Sequence, residues 1–138
     1  MSPITHFLAS WVVADTVLEN DRDKMLVAMA GILPDLDSLG VICDFLSPAL
    51  GGPETQLYAD YHHFLFHGFP GILVLAGVLA WRAVEKKKVF FWAFLVAHIH
   101  SLCDFVGSRG PTDTIEDLWP IYYWGPFTRE FGNFLWTD

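Results

Sequence analysis

Basic residues are scarce in this sequence, and their scarcity excludes one class of partner. The 138-residue chain has eight Lys and Arg against 16 Asp and Glu, which gives a formal net charge of −8. Proteins that bind DNA or RNA need a basic surface to neutralise phosphates, and no cluster of that kind is present. We therefore expect no nucleic-acid binding.

Cysteine is equally scarce. Cys43 and Cys103 are far apart and form no CxxC pair, which argues against a structural zinc finger. The N-terminus also lacks the basic segment and the cleavage site of a secretory signal. These absences favour a reducing location, in the cytoplasm or on the cytoplasmic side of a membrane.

No apolar run is long enough to span a membrane unaided. The longest stretch without charge or histidine is residues 68–81, whereas a span needs about 18 residues. If residues 64–67 are included, the segment is long enough to span, but it then contains one His and one Pro. Because 53% of the residues are hydrophobic, either the core is aromatic-rich or part of the surface contacts lipid or a partner. Membrane association is thus permitted.

Helix signals run along most of the chain, whose length suits a single domain, residues 1–138. Ser2 and Pro3 predict a helix start, Asp21 or Asp23 can cap a second helix, and Pro34 ends it. Helices are predicted over about 3–18, 21–32, 39–46, 72–83 and 89–106. The predicted fold is all-α, a compact bundle of about five helices with a metal cluster between them and an aromatic C-terminal loop.

Two pairs of side chains have helical spacing. His100 and Asp104 are four residues apart, so on a helix they project from one face and can bind a common ion. His63 and His67 have the same spacing, although no Glu follows His63 and the HExxH motif is absent. We therefore expect both pairs to face a shared site.

Two carboxylates follow Pro34. Asp35 and Asp37 point the same way in an extended or turn segment, and their repulsion would be relieved by a cation. The ordinary alternative is that Asp37 caps a short helix, which would leave Asp35 unexplained. His6, near the start of the first helix, could be a ligand, although a lone histidine in that position is usually a surface or capping residue.

Together these oxygen and imidazole groups predict a metal cluster. Such donors suit divalent ions, Zn first and Mn or Fe next. The predicted ligands are His6, Asp35, Asp37, His63, His67, His100 and Asp104. Seven ligands exceed the four of one tetrahedral ion, so we expect two or three ions, bridged by Asp104 or Asp35, the predicted catalytic residues. A cluster of this kind activates water for phosphoester hydrolysis.

Three further residues are candidates near this cluster. His62 and His98 are either additional ligands or hydrogen-bond partners of the ligands, and His98 shares a helix face with apolar residues. Arg109 lies in a glycine-rich turn and is a candidate for binding a substrate phosphate or carboxylate, although a loop arginine is often simply exposed.

Two other segments bear on the membrane. If the hairpin of residues 69–106 entered a bilayer, Lys86, Lys87 and Lys88 would place its turn on the cytoplasmic side. The aromatic segment 119–127 is too broken by Pro and Gly for a long helix. It could cap the core beside the site, line a substrate groove or lie at a membrane interface, and residues 131–136 suggest a last helical turn.

The order of these motifs resembles a known family. The motifs are, in order, Thr5-His6, Leu-Pro-Asp-Leu-Asp at 33–37, the histidines at 62, 63 and 67, and His-x-His-x-x-x-Asp at 98–104 with the following Gly-Ser-Arg-Gly-Pro. Together they resemble a bacterial family of predicted metal-dependent, inner-membrane-associated hydrolases. The order is more remotely similar to the zinc-dependent phospholipase C and single-strand nuclease superfamily. That similarity implies that Asp104 bridges metal ions, but the superfamily's second His-x-x-x-Glu is not evident.

The function predicted from the sequence is a metal-dependent hydrolase acting on a phosphoester, either a lipid or another small molecule. The alternative is a non-enzymatic, membrane-associated or interaction protein with a structural His/Asp metal site. A di-iron site with redox chemistry is a third candidate, which visible absorption would reveal. The sequence indicates neither the particular substrate nor the oligomeric state.

Overall fold

The computed structural model of the chain describes residues 2–107 and 121–127. The described part contains six α-helices, one 3-10 helix and no strand, which confirms the predicted compact all-α bundle. The α-helices are α1 Pro3–Val17, α2 Asp21–Ala30, α3 Gly40–Ala49, α4 Leu57–Tyr61, α5 Phe69–Arg82 and α6 Lys86–Gly107, and the 3-10 helix is Leu33–Leu39.

The predicted caps are right for α1 and wrong for α2. The Ser2 hydroxyl accepts from the backbone N–H of Thr5, as its position before Pro3 predicts. The cap of α2 is Asn20, whose side chain accepts from the N–H groups of the first turn. Asp23 is instead fully buried, and its carboxylate is committed elsewhere.

Asp23 ties α2 to the start of α6. Its two oxygens accept from the backbone N–H groups of Val84 and Glu85, at 2.9 and 2.7 Å. These donors lie at the beginning of α6, where no intrahelical acceptor exists. The α1–α2 connection and the α5–α6 turn therefore lie at the same end of the bundle.

Small side chains fill the interior. Five of the ten residues that form the main buried cluster are alanines, at positions 14, 30, 76, 83 and 93; the cluster is Ala14, Leu18, Val27, Ala30, Ala76, Leu79, Ala83, Val89, Ala93 and Val96. Such residues allow helix backbones to approach closely. The core of the described residues is thus not aromatic-rich, which leaves contact with lipid or a partner to explain the apolar composition.

Helix α3 contributes no buried side chain. It packs on α4 and the 3-10 helix, and the Asp44 carboxylate accepts from the N–H groups of Leu57 and Tyr58 at the start of α4. The apolar Phe45 and Leu50 are 75% and 83% exposed. This pair of helices therefore projects beyond the packed bundle.

Candidate metal centre

Four separate segments bring polar side chains to the end of the bundle opposite the α5–α6 turn. They are the first turns of α1, the 3-10 helix, the segment 62–68 before α5, and the last turns of α6. All seven predicted ligands lie in this cluster, and six of them are buried; they are His6, Asp35, Asp37, His63, His67, His100 and Asp104, of which Asp35 is the half-buried one.

Four ligand atoms form a compact cage. The Nε2 atoms of His67 and His100 are 3.1 Å apart. Asp104 Oδ2 lies 2.9 Å from His100 Nε2 and 3.6 Å from His67 Nε2. Asp35 Oδ1 lies 3.5 Å from His100 Nε2 and 3.8 Å from His67 Nε2. All four atoms lie within 4.8 Å of one another.

These separations, 2.9–3.8 Å, are close to those around a tetrahedral metal ion. Bonds of about 2.0–2.2 Å from zinc to nitrogen or oxygen place neighbouring donors about 3.3–3.6 Å apart. A further sign is that Asp35 Oδ2 is buried without a hydrogen-bond partner among the described residues. A buried carboxylate oxygen is costly unless something compensates it. The described residues therefore contain one His/Asp group that could hold a metal ion.

The second nitrogen of each caged imidazole is held by a hydrogen bond. His67 Nδ1 lies 3.0 Å from Asp37 Oδ2, and His100 Nδ1 lies 2.7 Å from the carbonyl oxygen of Gly31. Because both acceptors require an N–H at Nδ1, they direct the lone pair of each Nε2 toward the cage. Acceptors of this kind orient metal-binding histidines in proteins generally.

Asp37 lies behind His67 and outside the cage. Its other oxygen, Oδ1, lies 3.1 Å from Nδ1 of His62, whose ring stacks on Tyr58. The structure thus places Asp37 and His62 as supports of the cage, although the sequence predicts Asp37 as a ligand. Asp37 therefore does more than cap a helix, because both of its oxygens contact histidines.

Asp104 connects the cage to His6. Its Oδ1 lies 3.1 Å from His6 Nε2, while its Oδ2 faces His100 and His67. The rings of His6 and His100 are 3.9 Å apart, and the Ser10 hydroxyl donates to the His6 carbonyl. One carboxylate oxygen thus faces His6 and the other faces the cage, so the bridging role of Asp104 stays a prediction.

His63 does not share a helix with His67, so the predicted helical pairing is wrong. Helix α4 ends at Tyr61, His62 is extended, and α5 begins only at Phe69. His63 has φ +64°, a left-handed conformation that is uncommon outside glycine and is often found at functional sites. The turn nevertheless brings the two rings to 4.4 Å.

Protonation differs sharply between these two histidines. Burial, together with the neighbouring His67 and His62, lowers the pKa of His63 to about 2, so its ring is neutral. Burial also opposes charge on His67, but hydrogen bonds to Asp104 and Asp37 outweigh it and raise the His67 pKa above its usual value. Without a metal, a proton on His67 would neutralise part of the surrounding negative charge.

Two candidates remain, His98 and Arg109. His98 Nδ1 donates to the carbonyl of Phe94, and the His98 ring packs on Phe94 and Phe69 rather than on the cage. The structure therefore places it in an aromatic cluster. Arg109 lies outside the described residues, as do the glycine-rich turn after Gly107 and the predicted last helical turn.

The described part of the aromatic segment, residues 121–127, packs beside the centre. Tyr122 N–H donates to the carbonyl of His63, and Phe69 N–H donates to that of Tyr123. A Cβ on Gly68 would lie 2.5 Å from the Tyr122 carbonyl oxygen, so only glycine fits there. Of the three predicted roles, the contact beside the site is the one observed.

Sequence reasoning missed two residues that hold the centre. The Gly31 carbonyl accepts from His100, and the Ser101 hydroxyl donates to the His67 carbonyl at 2.9 Å. Ser101 could have been noticed as a buried hydroxyl beside His100. Nothing in the sequence marks a backbone carbonyl as a partner.

One protein-family model matches almost the whole chain. The model described as YdjM inner membrane protein matches residues 1–137. The chain belongs to the YdjM inner membrane protein family. Membership in the YdjM family makes it a membrane-associated protein of bacterial type, as the motif order predicts. Comparisons with curated proteins and with solved structures give no match, and none supports the resemblance to the phospholipase and nuclease superfamily.

Proposed function

We propose that this protein is a metal-dependent hydrolase acting on a phosphoester, either a lipid or another phosphodiester. The observation that carries the proposal is the cage of four donor atoms from Asp35, His67, His100 and Asp104. Two imidazoles and two carboxylates favour zinc, with Mn or Fe as the next candidates. An ion bound there would polarise a phosphoryl oxygen and lower the pKa of a water molecule.

The chain itself supplies proton acceptors beside the cage. Asp35 is the most exposed of the four side chains, at 18%, and its Oδ2, although buried, has no hydrogen-bond partner among the described residues. This oxygen is suited to accept a proton from an attacking water. Asp104 Oδ1 lies 3.1 Å from His6 Nε2 and its Oδ2 lies 2.9 Å from His100 Nε2, so one carboxylate reaches both rings. Asp35 and Asp104 are accordingly the proposed catalytic residues.

The same contacts support a proposal for the number of ions. The cage provides a complete set of donors for one ion. His6 Nε2 and Asp104 Oδ1, 3.1 Å apart, would be donors for a second ion. We propose one firmly held ion in the cage and a second ion on the His6 side of Asp104.

The second candidate function is a structural metal site in a non-enzymatic membrane protein. It is favoured by the number of protein donors, because four donors close a tetrahedral ion whereas catalytic zinc usually keeps one position open. Three of the four side chains are also less than 5% exposed. In this case the metal would hold α6 to the 3-10 helix and to the segment before α5.

An activity assay with matched variants separates the two candidates. The full chain, purified in detergent without chelator, is tested on bis(p-nitrophenyl) phosphate and on phospholipid in mixed micelles. Asp35→Asn should retain metal but lose at least tenfold in kcat, and Asp104→Ala should lose activity and metal together. Asp21→Asn, an exposed carboxylate at the opposite end, is the control. Metal-loaded wild type that hydrolyses neither substrate would favour the structural site.

A further inference from the structure

The outward faces of the long helices are apolar. Large hydrophobic side chains are 41–72% exposed along α1, α5 and α6; among them are Ile4, Leu8, Val12, Leu73, Val74, Val78, Trp81, Phe91, Ile99 and Leu102. Soluble monomers rarely expose contiguous apolar surface on this scale. The arrangement of large residues outside and alanines inside is the one expected when the surroundings are as apolar as the core.

Charge is confined to the ends of this apolar belt. Between Lys88 and Asp104, α6 has no Lys, Arg, Asp or Glu, and neither α1 before Asp15 nor α5 before Arg82 has one. Six of the eight basic residues of the chain lie at the end that Asp23 ties together; they are Arg22, Lys24, Arg82, Lys86, Lys87 and Lys88. The belt therefore has one rim that is rich in Lys and Arg.

The belt has the dimensions of a bilayer. Helix α6 has 22 residues, about 33 Å at 1.5 Å per residue, whereas the hydrocarbon core is about 30 Å thick. Residues Lys86–Phe105 meet the length and composition of a span, and only 39% of the apolar window is buried in the protein. A core helix of a soluble protein would be mostly buried. Helices α1 and α5 cover about 22 and 21 Å of the same depth.

We infer that lipid acyl chains cover the outward faces of α1, α5 and α6, with the basic end in the cytoplasm and the metal centre in the opposite leaflet. Orientation follows from the excess of Lys and Arg, which cytoplasmic loops carry. The inference specifies which faces contact lipid and where the centre lies, and it does not depend on the hydrolase activity.

The metal centre lies at the far end of the belt from the lysines. His100 is 12 residues beyond Lys88 on α6, about 18 Å along the helix axis. The α3–α4 pair continues beyond the centre, and its connecting loop carries the exposed Glu54 next to Gly51, Gly52 and Pro53. This polar loop is the part of the described chain expected to reach water on the far side.

Accessibility of single cysteines tests the inference. In a Cys43→Ser, Cys103→Ala background, Lys87→Cys and Glu54→Cys place one thiol at each end of the belt. The full chain is expressed in a Gram-negative host, and intact cells are treated with a membrane-impermeant maleimide. Glu54→Cys should react in intact cells, whereas Lys87→Cys should react only after permeabilisation. The reverse pattern, or reaction of both thiols only after permeabilisation, would overturn the orientation.

Extraction tests the lipid contact separately. Membranes are washed at alkaline pH with sodium carbonate, which removes peripheral proteins and leaves embedded ones. Retention of wild type in the pellet supports embedding. Release as a soluble oligomer would show that other copies of the chain cover the apolar faces, and would overturn the inference. Leu8→Glu combined with Val78→Glu should reduce membrane retention, whereas Asp21→Asn should not.

Discussion

The side chains of His67 and Asp37 are completely buried and joined by a hydrogen bond of 3.0 Å between Nδ1 and Oδ2. The same carboxylate holds His62 through its other oxygen. Because His67 Nδ1 must carry a hydrogen to make this bond, its Nε2 is free to turn toward Asp35, His100 and Asp104. The pair therefore sets both the tautomer and the direction of a caged nitrogen.

Asp37→Asn should weaken metal binding without removing it. The amide cannot accept from two imidazoles as a carboxylate does, so His67 loses its fixed orientation. Loss of such a partner typically lowers metal affinity about 10- to 100-fold. Competition with a chromogenic chelator measures the change, with Asp21→Asn as control. Unchanged affinity would show that Asp37 does not orient His67.

Gly31→Ala should destabilise the protein and disturb the centre. A Cβ at this position would collide with the Ser10 side chain and lie 2.8 Å from the carbonyl oxygen of His6. Overpacking of this kind typically costs about 1–3 kcal/mol. Gly77→Ala is the matched control, because nothing lies within 4 Å of a Cβ there and the residue is inside α5. We expect a lower Tm for Gly31→Ala only.

Asp23→Ala should destabilise the bundle more than Asp21→Ala. Asp23 is buried and accepts from two N–H groups at the start of α6, whereas Asp21 is exposed. Loss of a helix cap costs about 0.5–2 kcal/mol, and here two N–H groups lose their acceptor at once. Denaturant unfolding in detergent compares the variants. Equal stability would contradict the assigned role of Asp23.

Metal affinity should rise with pH. Because the pKa of His67 is raised, its ring keeps a proton at a higher pH than an ordinary histidine does. A metal ion must displace that proton from Nε2. Lowering the pH strengthens the competing proton, so the Kd should increase as the pH falls from about 8 to 6. Calorimetry in buffers of different ionisation enthalpy would detect the released proton. A Kd that is constant over this range would contradict the displacement.

Much of the fold follows from local signals in the sequence. Ser2 with Pro3 predicts the start of α1, and the end of α2 before Pro34 is confirmed within about two residues. The cap at Asn20 was missed because adjacent Asp21 and Asp23 are equally good caps by type. Only the packed structure shows that Asp23 is used at α6, 61 positions later in the chain.

The site was predictable in its members and less so in its geometry. His100 and Asp104 converge as helical spacing requires, at 2.9 Å. His63 and His67 also meet, but through a turn at a positive φ that no periodicity reveals. Whether a carboxylate lies inside the cage, as Asp35 does, or behind it, as Asp37 does, depends on the 3-10 geometry of their segment. The sequence shows only that the two carboxylates are two positions apart, which does not distinguish a ligand from a supporting residue.

The metal content of the purified chain tests the central claim most directly. Wild type, His100→Ala and His98→Ala are purified as full-length protein in detergent without chelator. Their metal content is then measured by inductively coupled plasma mass spectrometry. These two histidines lie on the same helix, but only His100 belongs to the cage. We predict at least one divalent ion per chain in wild type and in His98→Ala, and a substoichiometric amount in His100→Ala, with unchanged helical content. Wild type with much less than one ion per chain would contradict the account.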